Sequence, residues 1–210
     1  MINAARLPRD IIAVGASAGG VEAVIDLLTR LPATLPASVA VVLHRSPHVV
    51  GRSPRDLPRL PQVLGRRSAM AVLEPKEGEQ LARGTAYIAP CDQHMVFHDH
   101  GFSLNRGPKE HRTRPAIDPL FRSAAALYGR RVVGVLLSGM GADGVSGLVA
   151  IKARGGLSLV QSPSEAAFPV MIQHALAEDD VDAILDLEAL ASALNALAEG
   201  KTLEAIPDPP

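Results

Sequence analysis

Tryptophan is absent from this chain of 210 residues, aromatic residues make up only 3% of it, and cysteine occurs once, as Cys91. A lone cysteine excludes an internal disulfide and fits a reducing, cytoplasmic setting. With so few aromatics, the core has to be built from aliphatic side chains. Neither sign of charge is in excess: 21 Lys and Arg stand against 22 Asp and Glu, a formal net charge of −1. That balance removes the overall signature of a nucleic-acid or anionic-membrane binder. No apolar run is long enough to cross a bilayer and none reads as a secretory signal peptide, so no membrane insertion is expected.

The hydrophobic fraction is 47%, enough for one well-buried domain at this length. Residues 1–9 read as a polar leader, 10–200 as a single domain, and 201–210, ending in "EAIPDPP", as a flexible tail. Short apolar runs alternate with helical patterns. The runs are "IIAV" (11–14), "VAVVL" (39–43), "AMAVL" (69–73), "AYIA" (86–89), "VVGVLL" (132–137) and "LSLV" (157–160). Continuous, β-branched runs of this kind predict strands covered on both faces. Val21, Val24, Ile25 and Leu28 share one face of a helix after the first run. "IDPLFRSAAALYG" predicts a helix with Asp118 as N-cap, Pro119 at the first helical position and Gly129 past its end. Further helices are expected in "GVSGLVAIKARGG" and "LEALASALNALAEG". The alternation predicts an α/β domain with a doubly wound, mostly parallel sheet and helices on both faces. "HMVFHDHGFSLNRG" (94–107) interrupts it as a hairpin, expected at a sheet edge. Residues 44–68 hold four prolines and read as a long irregular connection with one helix starting near Pro61.

Gly15-Ala16-Ser17-Ala18-Gly19 follows the first strand and precedes a helix. This is the context of a nucleophile elbow, G-x-S-x-G, in which a tight turn is expected to strain the central residue and lift its hydroxyl above the sheet. Amides at the new helix N-terminus would face the same place and could hold an oxyanion. Ser17 could equally do no more than cap that helix. The stretch is neither G-x-G-x-x-G nor a phosphate-binding loop, because no Gly-Lys-Ser/Thr follows. His44 ends the second strand, and Asp143 lies in "LLSGMGADG" (136–144) after another strand. Each has a plain alternative: His44 a solvated strand end, Asp143 an N-cap. Yet three strands each deliver one member of a Ser-His-Asp set to the carboxyl edge of the sheet, where open α/β sheets bind their ligands. The chain order Ser, His, Asp differs from the Ser, Asp/Glu, His of the α/β-hydrolases.

With these sites in place, the sequence resembles the catalytic domain of the chemotaxis protein-glutamate methylesterase (CheB) family over roughly residues 10–190. The resemblance rests on "VGASAGGVEA", the strand ending in His44, "YIAPCDQHM", "RPAIDPLFRSAA", "GVLLSGMGADGVSGL" and "GGLSLVQSPSEAAFPVMIQHAL". It implies a catalytic triad of Ser17, His44 and Asp143, and an oxyanion hole formed by the backbone N–H groups of Ala18 and Met140. It also implies hydrolysis of glutamate γ-methyl esters on methylated chemoreceptor helices, with glutamine deamidation as a related activity. No metal or organic cofactor is implied. The family usually carries a receiver domain before the catalytic one. The expectation here is a stand-alone form, regulated if at all by a separate chain. The family commonly has threonine where this chain has Ala18, glycine at Cys91 and proline at Ile172. Pro54, Pro58 and Pro61 fall where relatives are more regularly helical. The alternatives are a serine hydrolase of the same fold with another ester or amide substrate, and a non-catalytic signalling domain.

Arg114 and His94 sit in family-like stretches and are the candidate substrate-binding residues. His98 and His100 read as solvated hairpin residues rather than metal ligands. Met70, Met95 and Met171 are expected in the core, and Cys91 at least half-buried.

Overall fold

The computed structural model describes residues 7–44, 60–179 and 181–203. The prolines and arginines of 45–59, most of the leader and most of the tail lie outside the described residues. The continuous apolar runs form strands β1 (Ile11–Ala16), β2 (Ser38–Leu43), β3 (Ala71–Leu73), β4 (Thr85–Ile88), β7 (Val132–Leu136), β8 (Leu157–Gln161) and β9 (Ala183–Leu185). They make one seven-stranded sheet in the order β3-β4-β2-β1-β7-β8-β9, parallel throughout. β1, β2 and β7 are buried along their whole length, which is why they read as unbroken hydrophobic runs.

Among the described residues, six α-helices accompany the sheet: α1 (Gly20–Arg30), α2 (Leu60–Gly65), α3 (Ile117–Tyr128), α4 (Val145–Ala153), α5 (Val170–Glu178) and α6 (Leu187–Ala198). One aliphatic core lies between the sheet and α1, α2 and α6, through Val24, Leu28, Leu64, Leu190 and Leu194. The opposite face packs against α3, α4 and α5 through Ile117, Leu120, Leu148 and Met171. Met70, Met95 and Met171 are buried as expected.

The hairpin forms as β5 (His94–His98) and β6 (Gly101–Asn105), but not at the sheet edge: it is a separate two-stranded antiparallel sheet. Aromatic packing accounts for the difference. Phe102 lies 4.8 Å from Tyr87 of β4 and 5.1 Å from Phe97, which meets Tyr128 of α3 edge-on at 5.4 Å. Most of the chain's few aromatics are thus spent on holding the hairpin over one face of the domain. His98 and His100 project from it into solvent. Cys91 is exposed rather than half-buried.

The expected start of α3 also shifts. Its N-cap is Ala116, which supplies no side-chain cap, and Pro119 is the third helical residue rather than the first. Gly129 lies just past the end of the helix, as predicted, with a positive φ of 51°.

Candidate active site

The parallel ladder runs one residue past the strands and sets the floor of the site. Leu137 N–H bonds Gly15 O at 2.9 Å, Ser17 N–H bonds Ser138 O at 3.0 Å and His44 N–H bonds Ala16 O at 3.0 Å. β1 is flanked by β2 on one side and β7 on the other, so its carboxyl end lies where the chain's connections diverge, the usual ligand crevice of an open α/β sheet. The turn after β1 needs Gly19, whose φ is +69° and at which a Cβ would lie 2.8 Å from Ser138 Oγ. The strain expected at Ser17 is absent: the left-handed residue is Gly19, where a missing side chain makes it inexpensive.

Ser17, His44 and Asp143 come together. Ser17 Oγ lies 3.1 Å from His44 Nδ1, and His44 Nε2 lies 2.7 Å from Asp143 Oδ2. An ionised carboxylate only accepts, so the proton sits on Nε2 and Nδ1 is free to accept from the serine hydroxyl. The ring is turned relative to the serine-protease template, where Nε2 faces the serine, but the order of contacts from hydroxyl to imidazole to carboxylate is the same. Asp143 is 1% exposed. Burial pushes its carboxyl up, but His44 and the amides of Ile117 and Asp118 together outweigh burial and hold it below the usual carboxylate range.

Asp143 does not cap the helix that follows it. Its oxygens accept the first amides of α3, Ile117 N–H at 2.7 Å and Asp118 N–H at 3.0 Å. Asp118 returns the arrangement: its Oδ1 accepts Gly144 N–H at 3.1 Å and Gly147 N–H at 2.7 Å at the start of α4. Neither helix has a side-chain cap from its own N-cap residue. Each takes its anion from the other, on the positive end of the helix dipole.

A cleft of about 380 Å³ opens above these groups, walled by Met140 on the β7 side and by His111, Arg112 and Thr113 opposite. The second wall was not legible in the sequence. Glu110 to Thr113 form a tight turn closed by Thr113 N–H to Glu110 O at 2.8 Å. Both central residues are left-handed, His111 at φ 47° and Arg112 at φ 63°, as a type I′ turn requires. For residues other than glycine this costs about 1–2 kcal/mol each. Side chains compensate. Arg122 grips both Glu110 oxygens at 2.8 Å, and His111 Nε2 donates to Asp118 Oδ2 at 3.0 Å.

The amides of Ala18 and Met140 bond nothing among the described residues. Ser138 does more than the sequence suggested: its hydroxyl donates to Ala18 O at 2.8 Å and accepts Phe168 N–H at 3.0 Å, tying together the turns after β1 and β7 and the approach to α5. Arg114 and His94 do not line the cleft. The Arg114 guanidinium is held by Asp92 at 2.8 Å and by the Gly107 carbonyl at 2.7 Å. His94 is buried, its Nε2 donating to Pro108 O at 2.9 Å and its Nδ1 accepting Ala116 N–H at 3.3 Å. Both brace the wall through these contacts. His111, Asp118 and Asp143 bring their donor atoms within 4.8 Å of one another. Because N–H groups already occupy both carboxylates, that set suits hydrogen-bond donors better than a cation.

Similarity to known proteins follows the same outline. A family model described as CheB methylesterase matches residues 12–194. A protein-glutamate methylesterase/protein-glutamine glutaminase of Pyrococcus abyssi is 36% identical over 183 residues, covering 85% of this chain and 48% of the relative. One from Photorhabdus laumondii is 38% identical over 181 residues, covering 84% and 49%. The chain therefore spans about half the length of the curated relatives it matches. The crystal structure of the Thermotoga maritima CheB methylesterase catalytic domain superposes with a TM-score of 0.81 at 29% identity, covering 90% of this chain and 98% of that one. A shared fold and a family match running from β1 into α6 lead to one assignment: the chain belongs to the CheB methylesterase family.

Proposed function

We propose that this domain is a protein-glutamate methylesterase that hydrolyses glutamate γ-methyl esters on chemoreceptor helices, with Ser17, His44 and Asp143 as its catalytic triad. The observation that carries the reading is the continuous chain from Ser17 Oγ through His44 to buried Asp143, opening onto a cleft. Relatives named protein-glutamate methylesterase/protein-glutamine glutaminase support the substrate. Ser17 Oγ attacks the ester carbonyl while its proton passes to His44 Nδ1. The carbonyl oxygen becomes an oxyanion held by the amides of Ala18 and Met140, which bond nothing among the described residues. The tetrahedral intermediate collapses, the imidazolium returns its proton to the leaving methoxide, and methanol departs. Water then attacks the acyl-serine by the same relay and frees the glutamate. Glutamine deamidation follows the same course with ammonia leaving. Among the described residues no helix is long and apolar enough to cross a membrane. A cytoplasmic domain meeting the cytoplasmic part of a receptor fits this reading.

The test is methanol release from methylated chemoreceptor membranes. The wild type releases methanol, and Ser17→Ala lowers the rate by about 10⁴-fold or more. Near-normal release by Ser17→Ala ends the triad assignment. Turnover of a small activated ester by a wild type that releases no methanol from receptor would instead assign another substrate.

A further inference from the structure

We infer that Thr113 is a positioning residue for His44, a fourth member of the relay that fixes the imidazole's tautomer and supports its charged form. The inference rests on the triad reading above. Thr113 Oγ1 lies 3.3 Å from His44 Nε2, on the same side of the ring as Asp143. The direction of this bond is determined by its surroundings. Asp143 accepts from Nε2, so the ring proton is there and Thr113 has to accept as well. The hydroxyl's own proton goes to the Glu110 carbonyl at 3.1 Å. Thr113 therefore presents a lone pair to Nε2–H, which is shared between a carboxylate at 2.7 Å and a hydroxyl at 3.3 Å. A proton on Nδ1 instead would leave Asp143 facing a bare nitrogen and would oblige Thr113 to turn its hydroxyl from the Glu110 carbonyl to the ring. Both contacts therefore favour the reactive tautomer.

The backbone is organised around this contact. The left-handed pair His111 and Arg112 closes the turn that brings Thr113 to the ring. Unfavourable backbone angles persist where surrounding contacts over-determine them, and such places cluster at functional sites. Here Arg122 holds Glu110, the residue whose carbonyl orients the hydroxyl, and Asp118 holds His111. An acceptor on Nε2–H binds imidazolium more strongly than imidazole, because the bond becomes charge-assisted. Removing it takes that bond from the imidazolium and weakens the proton relay.

Among the described residues, the charged and titratable groups around this relay are Asp143 from the loop before α4, Asp118 from α3, and His111 and Arg112 from the turn. Thr113→Val keeps all of them and removes only the hydroxyl at nearly constant volume. Methanol release from methylated receptor membranes is measured against pH for the wild type, Thr113→Val, Thr113→Ser and Ser17→Ala. The expected result for Thr113→Val is a kcat about 10-fold lower, KM within about twofold, and the acid limb of kcat/KM moved to lower pH. Thr113→Ser restores kcat to within about twofold. If Thr113→Val does not fold, Thr113→Ala carries the same comparison. An unchanged kcat and acid limb overturns the inference. So does a lower kcat with an unmoved acid limb that serine does not rescue, since that is the pattern of a structural role. Failure of the triad reading shows separately, as activity remaining in Ser17→Ala.

Discussion

Three N–H groups converge on the Asp143 carboxylate: the ring Nε2–H of His44 and the amides of Ile117 and Asp118. Asp143→Asn therefore acts in two ways. The amide cannot hold the imidazole in its reactive tautomer, so turnover falls by about 10⁴-fold in the methanol assay. One oxygen also becomes an NH₂ facing a donor, so the variant loses about 1–3 kcal/mol in urea unfolding, and the substitution is not silent for the fold. At this scale the sequence was most legible where a side chain ends a strand. Ser17, His44 and Asp143 each follow an apolar run whose burial fixes its direction, and a parallel sheet gathers such ends on one edge. Thr113 and His111 carried no such signal, because their positions depend on a left-handed turn of non-glycine residues, which has no period to read. Ser138 also follows an apolar run, but the loop-to-loop bonds that give it its role leave no mark in the sequence. Arg114 and His94 stood out in two family-like stretches but are engaged by Asp92 and by backbone groups.

Among the elements, α3 and α4 are the pair on which the site depends. Asp118 was expected to cap its own helix and instead caps α4, while Asp143, which precedes α4, caps α3. A sequence pattern for an N-cap records a short polar residue near a helix start, but not which helix start it serves. Asp118→Ala leaves two buried amides of α4 without an acceptor and removes the anchor of His111. A loss of about 2–4 kcal/mol is expected, read by urea or thermal unfolding. The central strands were legible because they are apolar throughout. β9 was not, since it has three residues and Ile184 within it is 51% exposed. α5 follows Pro169 without an N-cap signature and was likewise not separated from its surroundings. The hairpin was legible as a hairpin, but its docking on α3 depends on ring packing between residues distant in sequence.

The pH response belongs to the whole molecule, because it compares the folded state with the unfolded one. The Asp143 carboxyl is held below its ordinary value when folded. Its contribution to stability is therefore complete above the unfolded pKa of about 3.9 and is lost as pH falls through the lower folded value. Urea unfolding of the wild type and Asp143→Asn across this range should show the gap between them widest near neutrality and closing in acid. A gap that widened on acidification would contradict the depressed carboxyl. At this scale the doubly wound sheet was legible from the alternation of runs and helices, and the crevice followed from the strand order. The exchange of anions between Asp118 and Asp143 has a consequence for biosynthesis as well. The partner of His44 is steadied by one helix that begins at Ile117 and lies beside another that ends at Ala153. If Ser17 is the nucleophile proposed above, a nascent chain holding it and the imidazole is expected to stay inert on the ribosome until most of the polypeptide has emerged and these two late segments dock.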